Sequence, residues 1–345
     1  MSAPAADHRA TGSPRSKLQS MTLNPFKLAS SEGSVSGPPS PLDHAADSLV
    51  RVIAYACALF IILLMAYILW EIGKQAMPAI TRYGAGFFVG TSWNARTQQF
   101  GVLPEIWGTL YSSLLALLIG GLFGIAIAIF LTQGFLHSRV AAVFRTMIEL
   151  LAAIPSVVFG LWGIYVLIPW LRPPATWLHE HLGMVPLFGT ELNGPGLAPA
   201  ALVLSVMILP TVAAVSVDAF RRIPTSVTEA AYAMGTTRWE AILRVMLPTA
   251  SSGILAALVL GFGRALGETM ALAMLIGNNN QISLSLFAPA DTLASRLASS
   301  FPEAGGVEVG ALMYAALALL AITVVVSAIG LTIQELTFRK FEGKR

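Results

Sequence analysis

The sequence predicts an all-α membrane protein with six transmembrane helices, and two observations carry that prediction. Charged residues make up only 11% of the 345 residues, against roughly 25% in an ordinary soluble domain, while hydrophobic residues make up 55%. So few charges cannot cover a water-exposed surface. The hydrophobic residues also gather into long uninterrupted runs instead of short alternating pieces, which makes lipid the solvent for most of the chain. A net charge of +3 is too small to argue for nucleic-acid binding. Cys57, the single cysteine, lies inside an apolar run and offers neither an internal disulfide nor a thiolate metal cluster.

Residues 1–47 are rich in Ser, Pro, Ala and Gly and read as a disordered cytoplasmic tail. The first span covers 48–72, and its apolar run from Val52 to Trp70 is too long, and too poor in a following cleavage pattern, for a secretory signal. Residues 73–106 follow as an extracytoplasmic loop, and 107–334 form a core with five more spans. These are Trp107 to Gln133, Leu150 to Leu171, Leu197 to Val217, Ser251 to Ile276 and Val309 to Gln334, each long enough to cross about 30 Å of hydrocarbon. Pro155 and Pro169 predict a kinked or interrupted third helix near Ala152 to Gly163. Residues 335–345 are a short cytoplasmic tail.

Orientation follows from the basic residues in the connections. With the N-terminus inside, fifteen Lys and Arg residues lie on the cytoplasmic side and five outside, so both termini are expected in the cytoplasm. Trp70, Trp93, Trp107, Trp162, Trp170 and Trp177 fall near span boundaries, as interfacial belts would. Gly120 with Gly124, and Gly263 with Gly267, are small-residue pairs that allow close helix packing.

The connection 218–248 carries explicit local signals. Ser226 with Glu229, and Thr237 with Glu240, each read as a capping box, and Gly235 between them suits a helix C-terminus. Trp239, Ile242, Leu243 and Met246 recur at i, i+3, i+4 and i+7 as one apolar stripe, and Pro248 ends the second helix. A short amphipathic element of this kind lies on a membrane face or docks in a groove of another protein. A DNA-binding helix-turn-helix is disfavoured by its mixed charges and its tether to two spans. A purely structural interfacial loop remains the alternative.

Glu229-Ala230-Ala231, then Gly235, then Val245-Met246-Leu247-Pro248 resembles the EAA loop of permease subunits in binding-protein-dependent ABC importers. Only Val245, where the pattern has Ile, departs from it. The resemblance implies a MetI-like permease core and a coupling loop, formed by these residues, that sits in a cleft of an ATPase subunit.

The fifth span contains Arg264 and Glu268, flanked by Gly261, Gly263 and Gly267. Arg at that depth costs at least about 2.5 to 3.5 kcal/mol, so something must offset it. Spacing of i, i+4 places both charges on one helix face, where they can pair and point into a common cavity. Either the pair fixes helix register, or it is an anion step in a translocation path, where a guanidinium matches phosphate oxygens and Glu268 accepts from a protonated one.

Arg264-Ala265-Leu266-Gly267-Glu268-Thr269-Met270-Ala271 closely resembles the phosphate-specific branch of these permeases, as does Glu149 to Gly163 with its Ala153-Ile154-Pro155-Ser156. Placement of the first span and long outer loop is more PstC-like than PstA-like. The resemblance implies a plasma-membrane permease for inorganic phosphate, with Arg264 and Glu268 as the translocation residues. It implies as partners a PstA-like second permease, two PstB-like ATPase subunits and a PstS-like extracytoplasmic binding protein. Sulfate or molybdate as cargo, or an ion-coupled secondary transporter, are the alternatives.

The chain has no G-x-x-x-x-G-K-[ST], so no cofactor is assigned to it; ATP is used by the partner, and this subunit is not itself an enzyme. His179-Glu180-His181 lacks metal-ligand spacing and is assigned no metal. Asp291 and Glu303 lie in an outer connection, 278–306, and read as solvated.

Overall fold

The computed structural model describes residues 41–342, with side chains from 47 to 337. Eleven helices of six or more residues are named in chain order. They are α1 (Pro41–Tyr83), α2 (Leu103–Thr132), α3 (Ser138–Ala153), α4 (Ser156–Leu182), α5 (Leu197–Arg221) and α6 (Thr225–Ala233). After these come α7 (Arg238–Thr249), α8 (Ser251–Leu266), α9 (Met270–Leu275), α10 (Leu293–Ser300) and α11 (Val307–Glu342). Two-residue strands, β1 (Trp93–Asn94) and β2 (Gln99–Phe100), pair antiparallel in the connection before α2.

Among the described residues, five helices are long and apolar enough to cross a membrane, and α7 with α8, bent by 71°, would make a sixth. That agrees with six spans. The chain divides after Ala66 into two compact units. The first contributes the opening part of α1, whose apolar residues, such as Ile61 and Leu63, are exposed. The second, from Tyr67 onward, is built around α5, 67% of whose most apolar stretch is buried, against 6% for α11.

Several boundaries differ from the sequence reading. Helix α1 starts at Pro41, within the expected tail, and continues past residue 72 to Tyr83, into the expected outer loop. The last helix likewise runs on through most of 335–345. Both shifts have one cause: hydropathy marks where lipid ends, whereas backbone hydrogen bonding carries a helix on into polar sequence. The rest of the predicted tail, 1–40, lies outside the described residues.

The third span is interrupted as expected, but its register moves. Ile154 and Pro155 are extended, with ψ of 128° and 143°, so α3 ends and the apolar span begins at Ser156 instead of Leu150. Pro155 disfavours a helical conformation at Ile154 and supplies no N–H to continue α3. A π-turn at Gly163–Leu167 follows within α4.

Close helix approach depends on some of the predicted glycines. A Cβ on Gly120 would meet the Ser205 carbonyl at 2.6 Å, and one on Gly124 would meet Val212 at 3.0 Å, so α2 and α5 pack through them. Gly263 has nothing within 4 Å and Gly267 nothing nearer than 3.8 Å, so that pair joins no helices. Trp93 and Trp107 are fixed by protein, their indole N–H groups donating to Glu308 and to the Ser283 carbonyl; Trp70, Trp170 and Trp177 are exposed, as belt residues would be.

Candidate translocation site and coupling loop

Helix α8 stops at Leu266, and Gly267, with φ −91° and ψ −1°, turns the chain out before α9 begins at Met270. Arg264 therefore stands in the last turn of α8, where the negative end of the helix dipole favours a cation. Glu268 lies beyond the helix end. The expected Arg264–Glu268 pair is absent among the described residues, because i, i+4 neighbours meet only along a continuous helix. Arg264 Nη1 instead donates to Oγ1 of Thr211 on α5, at 3.0 Å.

Neither charge is buried in the isolated chain: Arg264 is exposed and Glu268 partly so. Open space at Gly263 lies one residue before the guanidinium. Gly261, one turn earlier, packs on Val212 of α5, where a Cβ would come within 2.7 Å. Helix α9 docks on α4 where Gly160 faces Met274 and Gly163 faces Leu275, which fixes the far side of the break. The glycines thus differ in role, Gly261 setting helix contact and Gly263 touching no neighbour.

From Thr211 the face of α5 continues through Ala214 and Asp218 into a cleft of about 390 Å³. Arg145, Glu149 and Arg221 also line it, and Arg145 Nε lies 3.0 Å from Glu149 Oε1.

The loop connecting α5 to α8 has the predicted helix, glycine turn and helix. Gly235 takes φ +79°, a conformation that suits glycine, directly after the α6 C-cap Met234. Thr237 and Glu240 form the predicted capping box, with Thr237 N donating to Glu240 Oε2 at 2.9 Å. These hydrogen bonds from Thr237 hold the Glu240 carboxyl below its ordinary value. The predicted box at Ser226 and Glu229 does not form. Pro224, at φ −59° and ψ 139°, occupies the N-cap position, so Ser226 falls inside the helix and makes no cap.

The predicted apolar stripe splits in two. A π-turn over Ile242–Met246 resets the register, leaving Ile242 and Met246 buried at 0% and 1% exposure but Trp239 and Leu243 at 50% and 54%. The buried pair packs with Ala128 and Ile129 near the end of α2, Val217 and Phe220 near the end of α5, and Ala231 of α6. Trp239 lies 5.3 Å from the Phe135 ring, and Arg238 stands 4.8 Å over that same ring. Of the EAA residues, Glu229 and Ala230 are exposed and Ala231 is buried. Val245, Leu247 and Pro248 are half-buried. Pro248 does not end the helix, which reaches Thr249 and then bends at Ala250 into α8, because a proline in the first turn after the π-turn costs little.

Two polar clusters escaped the sequence reading. Thr211 carries no charge and lies 53 residues from Arg264, so no local signal marked it. Asp291, expected in solvent, is fully buried with Glu105, and Arg296 Nη2 reaches both, at 2.8 and 3.0 Å. Burial pushes the Asp291 carboxyl above its ordinary value against the opposing pull of Arg296. The ring nitrogens Nδ1 of His179 and His181 contact the carbonyls of Phe188 and Trp177.

The sequence profile of the binding-protein-dependent transport system inner membrane component matches residues 120–342. The phosphate transport system permease protein PstC of Mesorhizobium japonicum is 36% identical over 289 residues, 82% of this chain and 88% of its own length. Its counterparts are 38% identical in Haemophilus influenzae, over 81% of this chain and 90% of their own, and 39% in Mycobacterium leprae, over 74% and 82%. A bacterial alginate ABC transporter crystallised with its substrate-bound periplasmic protein has a chain of TM-score 0.56 at 18% identity, covering 83% of this chain and 94% of that one. A MetNI methionine ABC transporter chain gives 0.51 at 17%, covering 68% and 95%, so both share the fold. The chain belongs to the binding-protein-dependent transport system inner membrane components, in their PstC-like branch.

Proposed function

We propose that this chain is one permease half of an ATP-driven importer that moves inorganic phosphate across the plasma membrane into the cytoplasm. The observation that carries the reading is the exposed guanidinium of Arg264, standing in the last turn of an apolar helix with one nitrogen held by Thr211 of a second helix. A guanidinium has five N–H donors in a planar fork, and among the described residues Thr211 engages one of them, so the rest match paired oxyanion oxygens. Glu268, with no side-chain partner among the described residues, faces the same exchange as an acceptor for a protonated phosphate oxygen. A carboxylate near the anion also weakens its hold, which suits a site that must release cargo. The PstC permeases that share 36–39% of aligned residues support phosphate as that cargo.

Both termini and the loop 218–248 are assigned to the cytoplasm by the excess of basic residues there. Exposed Glu229 and Ala230 present the surface for a PstB-like ATPase, two copies of which would serve this chain and a PstA-like second permease. A PstS-like binding protein would deliver phosphate from the other side. Hydrolysis belongs to the ATPase; this subunit converts its movement. Ile242 and Met246 clamp α7 to the ends of α2 and α5, and the 71° bend at Ala250 joins α7 to α8. From Ser251 to Arg264 that helix is a rigid lever about 20 Å long. Displacing the loop therefore swings Arg264.

The test is uptake of labelled phosphate by proteoliposomes holding all four kinds of subunit. Uptake should require ATP and the binding protein, resist excess sulfate, and vanish in Arg264→Ala while co-purification of the ATPase stays normal. Normal uptake by Arg264→Ala, or uptake without ATP, would overturn the reading.

A further inference from the structure

Most threonines of the long helices share one habit, Thr146 apart. Thr81, Thr109, Thr132, Thr176, Thr249 and Thr323 each donate their hydroxyl to the carbonyl four residues earlier, at 2.7 to 3.0 Å. Such a bond consumes the O–H within the helix. Thr211, inside α5, breaks the habit: its Oγ1 accepts from Arg264 Nη1, and its own hydrogen has no acceptor among the described residues. The side chain is only partly covered, so that hydrogen is within reach of a ligand.

We infer that Thr211 is a further substrate-contacting residue: its oxygen aims the Arg264 guanidinium while its O–H donates to an oxygen of the passing tetrahedral oxyanion. The inference rests on the reading of Arg264 as the anion step. A hydroxyl has one donor and two lone pairs, so accepting from Arg264 leaves the donor free. The same bond ties the far tip of a long, rotamer-rich side chain to α5, which removes freedom that phosphate would otherwise have to freeze out. Helices α5 and α8 are held at close range one turn away by Gly261 against Val212, so the hydroxyl and guanidinium keep their spacing. Two donors from two helices then meet one anion. The stripe Thr211, Ala214, Asp218 leads from that point into the cleft beside Arg221, which gives the released anion a way out.

The experiment uses the complete complex in proteoliposomes, supplied with labelled inorganic phosphate and ATP, and reads phosphate moved per ATP hydrolysed. Thr211→Val keeps the shape and removes both the donor and the acceptor. It should lower that ratio about tenfold, the loss expected for a hydrogen bond to a charged group, with the ATPase still stimulated by loaded binding protein. Thr211→Ser should restore it to within about twofold of the parent. If Thr211→Val does not assemble, Thr211→Ala is read by the same ratio. An unchanged ratio in the hydroxyl-less variant overturns the inference, and so does a Thr211→Ser ratio as low as that of Thr211→Val. Arg264→Ala separates the two levels: abolished uptake there beside an unchanged Thr211→Val ratio sinks only the role of Thr211, whereas normal uptake sinks the underlying reading.

Discussion

Arg296 Nη2 lies 3.0 Å from Glu105 Oε1, joining residues 191 positions apart at the start of α2 and in α10. The same nitrogen is 2.8 Å from Asp291 Oδ2, and both carboxylates are fully buried. One guanidinium therefore holds two charges that have no water. Arg296→Ala would leave both unpaired and is expected to destabilise the fold by about 3–5 kcal/mol. Denaturant unfolding of the purified complex checks this. Adding Glu105→Gln and Asp291→Asn to the same variant should recover most of the loss, whereas no recovery would mean that the cluster acts through packing.

Glycine positions should respond to substitution according to what faces them. A Cβ on Gly108 would collide with the Asp291 carbonyl oxygen, a backbone atom that cannot swing aside, so Gly108→Ala should cost about 1–3 kcal/mol or more. Gly263→Ala meets nothing within 4 Å and should leave stability unchanged. Thermal unfolding of the two variants side by side decides the matter.

In the coupling loop the two Ser/Thr positions should separate cleanly. Thr237→Ala removes an observed cap and should weaken α7 by about 1 kcal/mol, while Ser226→Ala should be silent. Amide hydrogen exchange across 225–249 reports both. Equal effects at the two positions would show that the cap is not what holds the loop.

The same cap predicts a pH dependence. Hydrogen bonds from Thr237 hold the Glu240 carboxyl below its ordinary 4.5, so the folded loop binds that proton less readily than the unfolded one. The stabilisation is then complete above the ordinary value and is lost as pH falls through the lowered one. Exchange protection at Glu240 N should fade in that acid window in the parent, and the fading should be smaller in Thr237→Ala, which keeps the backbone N–H bond to the carboxylate and loses the hydroxyl one.

The spans, the break at Pro155, the glycine turn at 235 and the Thr237 cap were all legible before any packing was known, because each is set by a free energy that neighbouring residues supply. An apolar run prefers lipid wherever it packs, and a capping box spans only the four residues from Thr237 to Glu240. The EAA pattern and the Arg264 segment were legible through their resemblance to known permeases. The partner of Arg264 was not. Spacing offered Glu268, but α8 ends at Leu266 and the bond goes to Thr211, a choice made by how α5 and α8 meet. Asp291 looked like a solvated acid until the fold buried it with Glu105 and brought Arg296 to both, and the stripe on α7 looked single until a π-turn rotated half of it outward. Local sequence fixes what each segment is; which polar groups lose water, and therefore must find one another, is decided only when the helices pack.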